Sequence, residues 1–93
     1  MYIEEWEWDD DNEGELARHG LGPRQVREVA DKRPRFRRNR RQRAATHMMI
    51  GPDRGGAIWV VCIVQIERVA GRWRAVTGWL AEKADKEWYR ENS

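Results

Sequence analysis

The sequence predicts an α+β fold: an antiparallel sheet of three to four strands with helices packed on one face, in the order β-α-α-β-β-β-α. Two observations lead to this prediction. Helix start and stop signals cluster between residues 9 and 34, and three strand-like segments separated by glycine-containing turns follow them. With 93 residues and 40% hydrophobic content, the chain has apolar material for one core, so residues 1–93 are expected to form a single domain.

The acidic N-terminal segment predicts one strand and one helix. Residues 2–8 alternate bulky and acidic side chains imperfectly, which favours a short strand. Residues 9–12 supply N-cap candidates and a negative charge that complements the helix dipole, and Gly20 stands just beyond the last turn. These signals predict a first helix over residues 10–19.

A second helix is predicted to begin at Pro23, because proline is favoured at the first helical position. It should end near Lys32, since Pro34 disfavours helical backbone at the residue before it. The spacing i, i+3, i+4 of a buried stripe is found at Val26, Val29 and Ala30.

The second half of the chain predicts a meander of antiparallel strands. The segments with strand character are residues 44–50, 57–66 and 72–80. The turn at residues 51–56 makes the first two a hairpin, and the middle segment is apolar on both faces. Strict alternation of side chains along residues 72–80 would place Trp73 and Trp79 on the same face of the sheet. A charged last helix is expected over residues 82–91.

Composition excludes several classes of protein. A single cysteine, Cys62, allows no intramolecular disulfide, and the ligand spacings of zinc sites are absent, so neither a metal nor a cofactor is expected. Residues 1–15 are acidic, unlike a signal peptide, and the longest apolar run, residues 57–64, is far shorter than a membrane span of about 20 residues. We therefore expect a cytoplasmic protein without membrane contact.

The net charge of +2 hides a polarised distribution. Residues 1–20 carry eight acidic side chains and one arginine, residues 21–43 carry ten basic and two acidic ones, and residues 44–93 carry seven basic and six acidic ones. This asymmetry favours a polyanionic partner, an acid–base contact within the fold, or an acidic protein partner.

The densest basic segment is residues 32–43, where eight of twelve positions are basic and arginine outnumbers lysine seven to one. With Phe36 as its one candidate for a core anchor, the segment is predicted to be a loop or an edge strand. The planar guanidinium of arginine makes bidentate contacts to phosphate and stacks on bases, which makes RNA the expected partner. The expected RNA-binding residues are Arg35, Arg37, Arg38, Arg40 and Arg41.

Short motifs along most of the chain carry a family resemblance. They are Trp8-Asp9, Asn12, Leu16, His19-Gly20, Val26, Glu28, Val29, Ile50-Gly51, Val60-Val61, Thr77-Gly78, Ala81 and Trp88-Tyr89. In this pattern the chain resembles the BrnT-type toxins, whose fold is similar to that of RelE-type bacterial ribonucleases. The resemblance implies the toxin of a type II toxin-antitoxin pair, a metal-independent endoribonuclease that a DNA-binding antitoxin neutralises.

Cleavage of RNA by its own 2′-hydroxyl needs a proton acceptor, a cation beside the phosphate and a proton donor for the leaving oxygen. The candidate catalytic residues are His19, Arg43 and Arg74. His19 equally fits a helix cap, and His47 fits the surface of a sheet. The chain also departs from the family at two cationic positions: residues 10–12 stand where a lysine is common, and Trp79 stands where an arginine is common.

Three functions therefore stay open. The first is an RNA-cleaving toxin, and the second is a catalytically silent homologue whose arginines bind nucleic acid or an antitoxin. The third is a homodimer in which the acidic N-terminal segment of one copy meets the basic segment of another.

Overall fold

The structure, a computed structural model that describes residues 2–40, 44–66 and 69–93, has a five-stranded sheet with helices on both faces. The elements are β1 (Glu5–Glu7), α1 (Asp10–Ala17), α2 (Pro23–Asp31), β2 (Arg35–Arg38), β3 (His47–Pro52), β4 (Ile58–Gln65), β5 (Arg72–Leu80) and α3 (Lys83–Glu91). The strands lie in the order β1-β5-β4-β3-β2, with β1 parallel to β5 and the other neighbours antiparallel. No helix in the described ranges is long and apolar enough to cross a membrane.

The α+β class is confirmed, but the prediction of an antiparallel sheet with three to four strands is wrong in number and in direction. The basic segment adds an edge strand, β2, which extends the predicted element order by one strand. Phe36 packs against the larger core cluster and so anchors this strand. β1 is parallel to β5, a pairing that needs a long connection, and most of the chain lies between these two strands.

The prediction that all helices pack on one face is also wrong. Along β4, Val61 and Ile63 belong to the cluster that contains Leu16 of α1, whereas Val60 belongs to a second cluster against which Trp88 of α3 packs. A strand that is apolar on both sides needs cover on both sides to keep its surface from water. The helices α1 and α2 cover one face, and α3 packs on the other.

β5 has its predicted bounds, but an irregularity breaks its alternation. The ladder with β4 passes from Ala75 directly to Thr77, which leaves Val76 without a partner. A bulge of this kind reverses the faces of the side chains beyond it. Trp73 consequently lies in the cluster beneath α1 and α2, and Trp79 packs against the cluster beneath α3, so the prediction that both share one side is wrong.

The end of α1 explains a glycine in the sequence. Gly20 has a φ of 77°, and its N–H donates to the carbonyl of Ala17 at 3.0 Å. The N–H of Leu21 donates to the carbonyl of Leu16 at 3.1 Å, which completes a Schellman turn. A residue with a Cβ is strained at this φ, so glycine is favoured here. The second helix, α2, begins and ends within one residue of its predicted bounds.

Candidate nucleic-acid interface

A groove of about 670 Å³ lies between the β2 edge of the sheet and the start of α3. Met48 and Trp79 contribute apolar surface from the sheet face that α3 covers. Charged side chains supply most of the remaining lining: Arg37, Arg38, Arg40, Glu82 and Asp85. We call this surface the basic groove. Its volume is in the range of small-ligand sites.

The register of β2 places its arginines. Arg37 pairs with Met48 of β3, and Phe36 pairs with Met49, which lies in the core beneath α1 and α2. Because neighbouring side chains of a strand face opposite ways, anchoring Phe36 in that core turns Arg35 and Arg37 towards α3. The single aromatic residue of the basic segment thus decides which arginines reach the groove side of the sheet.

Two of the five predicted RNA-binding arginines make contacts within the fold. Arg35 Nε donates to the backbone carbonyl of Asn92 at 2.6 Å, just beyond the end of α3. Arg37 Nη2 donates to Asp85 Oδ1 at 3.0 Å, and its guanidinium lies 4.9 Å from the centre of the Trp88 ring. Arg35 and Arg37 therefore hold α3 against the edge of the sheet.

Arg38 and Arg40 differ from their neighbours, because both are exposed. Within the described part of the chain, neither makes an ion pair or a side-chain hydrogen bond. Arg38, the last residue of β2, shares the sheet face of its ladder partner His47, so its charge and that of Arg40 are available to an anion at the edge of the groove rather than inside it. Arg41, the fifth predicted RNA-binding residue, and Arg43, a predicted catalytic one, lie outside the described residues.

His47 lies opposite Arg38 in the β2–β3 ladder, on the side of the sheet away from the groove. Burial, followed by the nearby charge of Arg38, lowers the pKa of His47. Its Nδ1 lies 2.8 Å from the Thr46 hydroxyl, and its ring meets Trp73 edge-on at 5.8 Å between ring centres. These contacts give His47 a packing role at the sheet surface.

Arg74, a predicted catalytic residue, lies on β5 beside β1 and is held by two carboxylates. It donates to Asp9 through Nη1 at 2.6 Å and Nη2 at 2.9 Å, and to Glu7 through Nη1 at 3.1 Å. These bonds to Asp9, together with the backbone N–H of Asn12, lower the pKa of Asp9 to about 2. The charge of Arg74 is neutralised within the fold, and Arg74 is not among the described residues that line the basic groove.

His19, another predicted catalytic residue, lies two residues beyond the end of α1. Its Nε2 is 3.2 Å from Oε2 of Glu15, and the hydroxyl of Thr77 donates to the same oxygen at 2.8 Å. The Thr77 hydrogen bond, followed by that of His19, lowers the pKa of Glu15. His19 and Arg74 thus lie at opposite ends of α1, about 12 Å of helix apart, and the fold does not bring these two candidates together.

The sequence did not reveal the acidic part of the groove. Glu82 and Asp85 belong to the start of α3, a segment that reads as an ordinary charged helix. The position of Asp85 was a usable signal, because it is the third residue of α3. A carboxylate at this position of a helix accepts a backbone N–H from the residue before the helix. Among the described residues, no three His, Cys, Asp or Glu side chains come together as a candidate metal site.

A scan of the chain against models of known protein families finds no match, and no curated protein matches its sequence. The resemblance to the BrnT-type toxins therefore stays a prediction. Several residues that carry it have structural roles. Asn12 completes the capping box at the start of α1, and Gly20 supplies the positive φ of the turn that follows this helix. Gly78 leaves room for the core, because an added Cβ there would lie 2.7 Å from Leu21 Cδ2.

Proposed function

We propose that this chain is a toxin-like RNA-binding protein that holds single-stranded RNA in the basic groove. One observation carries the proposal: exposed Arg38 and Arg40, without an ion pair in the described chain, line the same groove as the half-buried Trp79. The arginines bind phosphates, and the indole provides a surface on which a base stacks. Apolar surface beside unpaired cations is typical of surfaces that bind single strands.

The shape of the groove favours a single strand over a duplex. Proteins that read duplex DNA insert a helix or a two-stranded ribbon into the major groove. Here the cations lie on and just beyond the edge strand β2, and the aromatic ring lies on the sheet face beside α3. A base reaches such a ring when it is unpaired, as in the loops and ends that RNA-binding proteins recognise.

Binding is better supported than cleavage. Arg74 is neutralised by Glu7 and Asp9, and Trp79 stands where the family commonly has an arginine that stabilises the developing charge on phosphorus. We therefore favour the catalytically silent alternative. In a toxin-antitoxin pair, a DNA-binding antitoxin that carries an acidic segment is the expected partner, because it would compete with RNA for the basic groove.

Endoribonuclease activity is a second candidate function, and the His19–Glu15 contact favours it. A carboxylate that holds one ring nitrogen fixes the orientation of the imidazole, as a general base requires. The activity is tested by incubating purified protein and its His19→Ala variant with labelled RNA. Cleavage that the substitution abolishes would support this function, whereas absence of cleavage by the parent would favour RNA binding alone.

Fluorescence anisotropy with a short labelled RNA at several salt concentrations tests the proposed function. Each neutralised phosphate adds about −0.7 to the log–log slope of affinity against salt, so about four contacts give a slope near −3. The double variant Arg38→Gln/Arg40→Gln should bind more weakly, with a slope reduced by roughly 1.4. The control Arg54→Gln/Arg90→Gln makes the same change in charge at exposed positions outside the groove and should leave the slope unchanged. Equal losses in both double variants, or salt-independent binding, would contradict the proposal.

A further inference from the structure

Glu82 is out of place in a groove for a polyanion. It is exposed, directly precedes α3 and lines the basic groove. Asp85, the other carboxylate, has both oxygens engaged, since Oδ1 accepts from Arg37 and Oδ2 accepts from the backbone N–H of Glu82. The carboxylate of Glu82 makes no ion pair with any residue that the structure describes. A carboxylate without an ion pair repels phosphate and accepts hydrogen bonds, so a ligand group beside it is favoured if it donates hydrogen bonds.

The four RNA bases differ in what they offer a carboxylate. An ionised carboxylate accepts only, through two oxygens that take a pair of parallel donors. Guanine presents two adjacent donors, N1–H and the N2 amino group, on its Watson–Crick edge. Adenine and cytosine present one amino group beside an acceptor, and uracil presents one N–H between two carbonyl oxygens. Guanine is therefore the base that matches a single free carboxylate.

We propose that the basic groove is selective for guanine in single-stranded RNA. The base stacks on Trp79, its N1–H and N2 amino group donate to Glu82, and the flanking phosphates bind Arg38 and Arg40. This inference rests on the proposed function, because it assigns the base for the same groove. A good bidentate contact distinguishes the right base from a wrong one by roughly 5- to 150-fold in affinity.

Competition in fluorescence anisotropy tests the proposal with the full chain. The probes are short oligouridines that carry one central guanine, adenine or inosine. Inosine keeps the N1–H of guanine and lacks the N2 amino group. We expect guanine to bind most tightly, inosine to be intermediate and adenine to bind least tightly.

Glu82→Gln should reduce the preference for guanine over adenine to roughly 3-fold or less, because the amide nitrogen of glutamine is itself a donor and cannot accept the second of two parallel donors. Its affinity for the adenine probe should be equal or higher, since a repulsive charge is lost. Glu87→Gln removes an exposed carboxylate from the same helix outside the groove, and it should leave the preference unchanged.

The outcomes separate this inference from the proposed function. Salt-dependent binding with equal affinity for guanine and adenine overturns guanine selectivity and leaves RNA binding in place. A preference that persists in Glu82→Gln overturns the role of Glu82. Absence of binding to every probe overturns the proposed function and this inference with it.

Discussion

Replacing Asn12 with alanine should lower the free energy of unfolding by about 2–4 kcal/mol. Asn12 has 2% of its surface exposed, and its side chain joins three elements. Its Nδ2 donates to the carbonyls of Glu7 at 2.9 Å and Ala75 at 3.2 Å, and its Oδ1 accepts from the N–H of Asp9 at 2.8 Å. These bonds tie the start of α1 to β1 and β5.

The magnitude follows from the groups that alanine would leave without this partner. Ala75 is fully buried, so its carbonyl bears the full cost of the lost hydrogen bond, about 1–3 kcal/mol. Glu7 is half-buried and Asp9 is exposed, so water replaces part of what they lose, and together they add roughly 1 kcal/mol. The total is a large share of the roughly 5–15 kcal/mol that stabilises a typical domain.

Urea unfolding followed by tryptophan fluorescence measures the effect, and the melting temperature should fall by roughly 10–25 °C. Asn92→Ala is the matched control, because the amide of Asn92 donates to the carbonyl of Trp88 at the exposed end of α3. That variant should stay within about 0.5 kcal/mol of the parent. An Asn12→Ala protein as stable as Asn92→Ala would refute the reasoning.

Three further predictions concern acid stability, thiol reactivity and growth. Because Arg74 lowers the pKa of Asp9 to about 2, the ion pair stabilises the fold at pH values above about 4, the ordinary pKa of an aspartate, and this stabilisation is lost as the pH falls towards 2. In urea titrations, Arg74→Gln should therefore be less stable than the parent at neutral pH and should lose less stability between about pH 4 and about pH 2. Burial raises the pKa of Cys62 to about 11, so a thiol reagent at about pH 8 should label it only on unfolding, and prompt labelling of the native protein would contradict its burial. Expression in bacteria without an antitoxin should slow growth. The Arg38/Arg40 double variant should restore growth if RNA binding is enough for toxicity, and His19→Ala should restore it if RNA cleavage is required. Normal growth with the parent protein would argue against a toxin.

Local sequence signals were enough for the helix starts and for the bounds of β5. Pro23 fixes the start of α2, and Asp9 caps α1 through the side-chain bond predicted from its position before the helix. These signals work because the physical cause lies within a few residues of its effect. The positive φ of Gly20 is another such case.

The sheet depends on contacts between distant residues, and there the sequence was less informative. Alternation alone could not reveal the extra residue Val76, since the bulge exists only relative to β4. The parallel pairing of β1 likewise depends on Trp6 meeting Trp73, far along the chain. A run of three residues carries too little pattern to fix its direction.

The candidate site was predicted in part. The run of arginines in residues 32–43 predicted the edge of the groove, but the sequence alone does not show which of these arginines lack an ion pair within the fold. Arg37 is neutralised by Asp85, 48 residues away, and Arg35 bonds to Asn92, 57 residues away. Which charges remain available for a ligand is therefore decided by how α3 packs on the sheet.

The location of bound RNA tests the central claim most directly, and nitrogen–proton NMR spectra can report it. The six tryptophan indole N–H signals are assigned by substitution, and RNA is then titrated into labelled protein. The signals of Trp79, Arg38 and Arg40 should shift most, while that of Trp8, which lies beside Arg27 on α2, should hardly move. Shifts that concentrate on Trp8 and the α1–α2 side, with the Trp79 signal unchanged, would contradict binding in the basic groove.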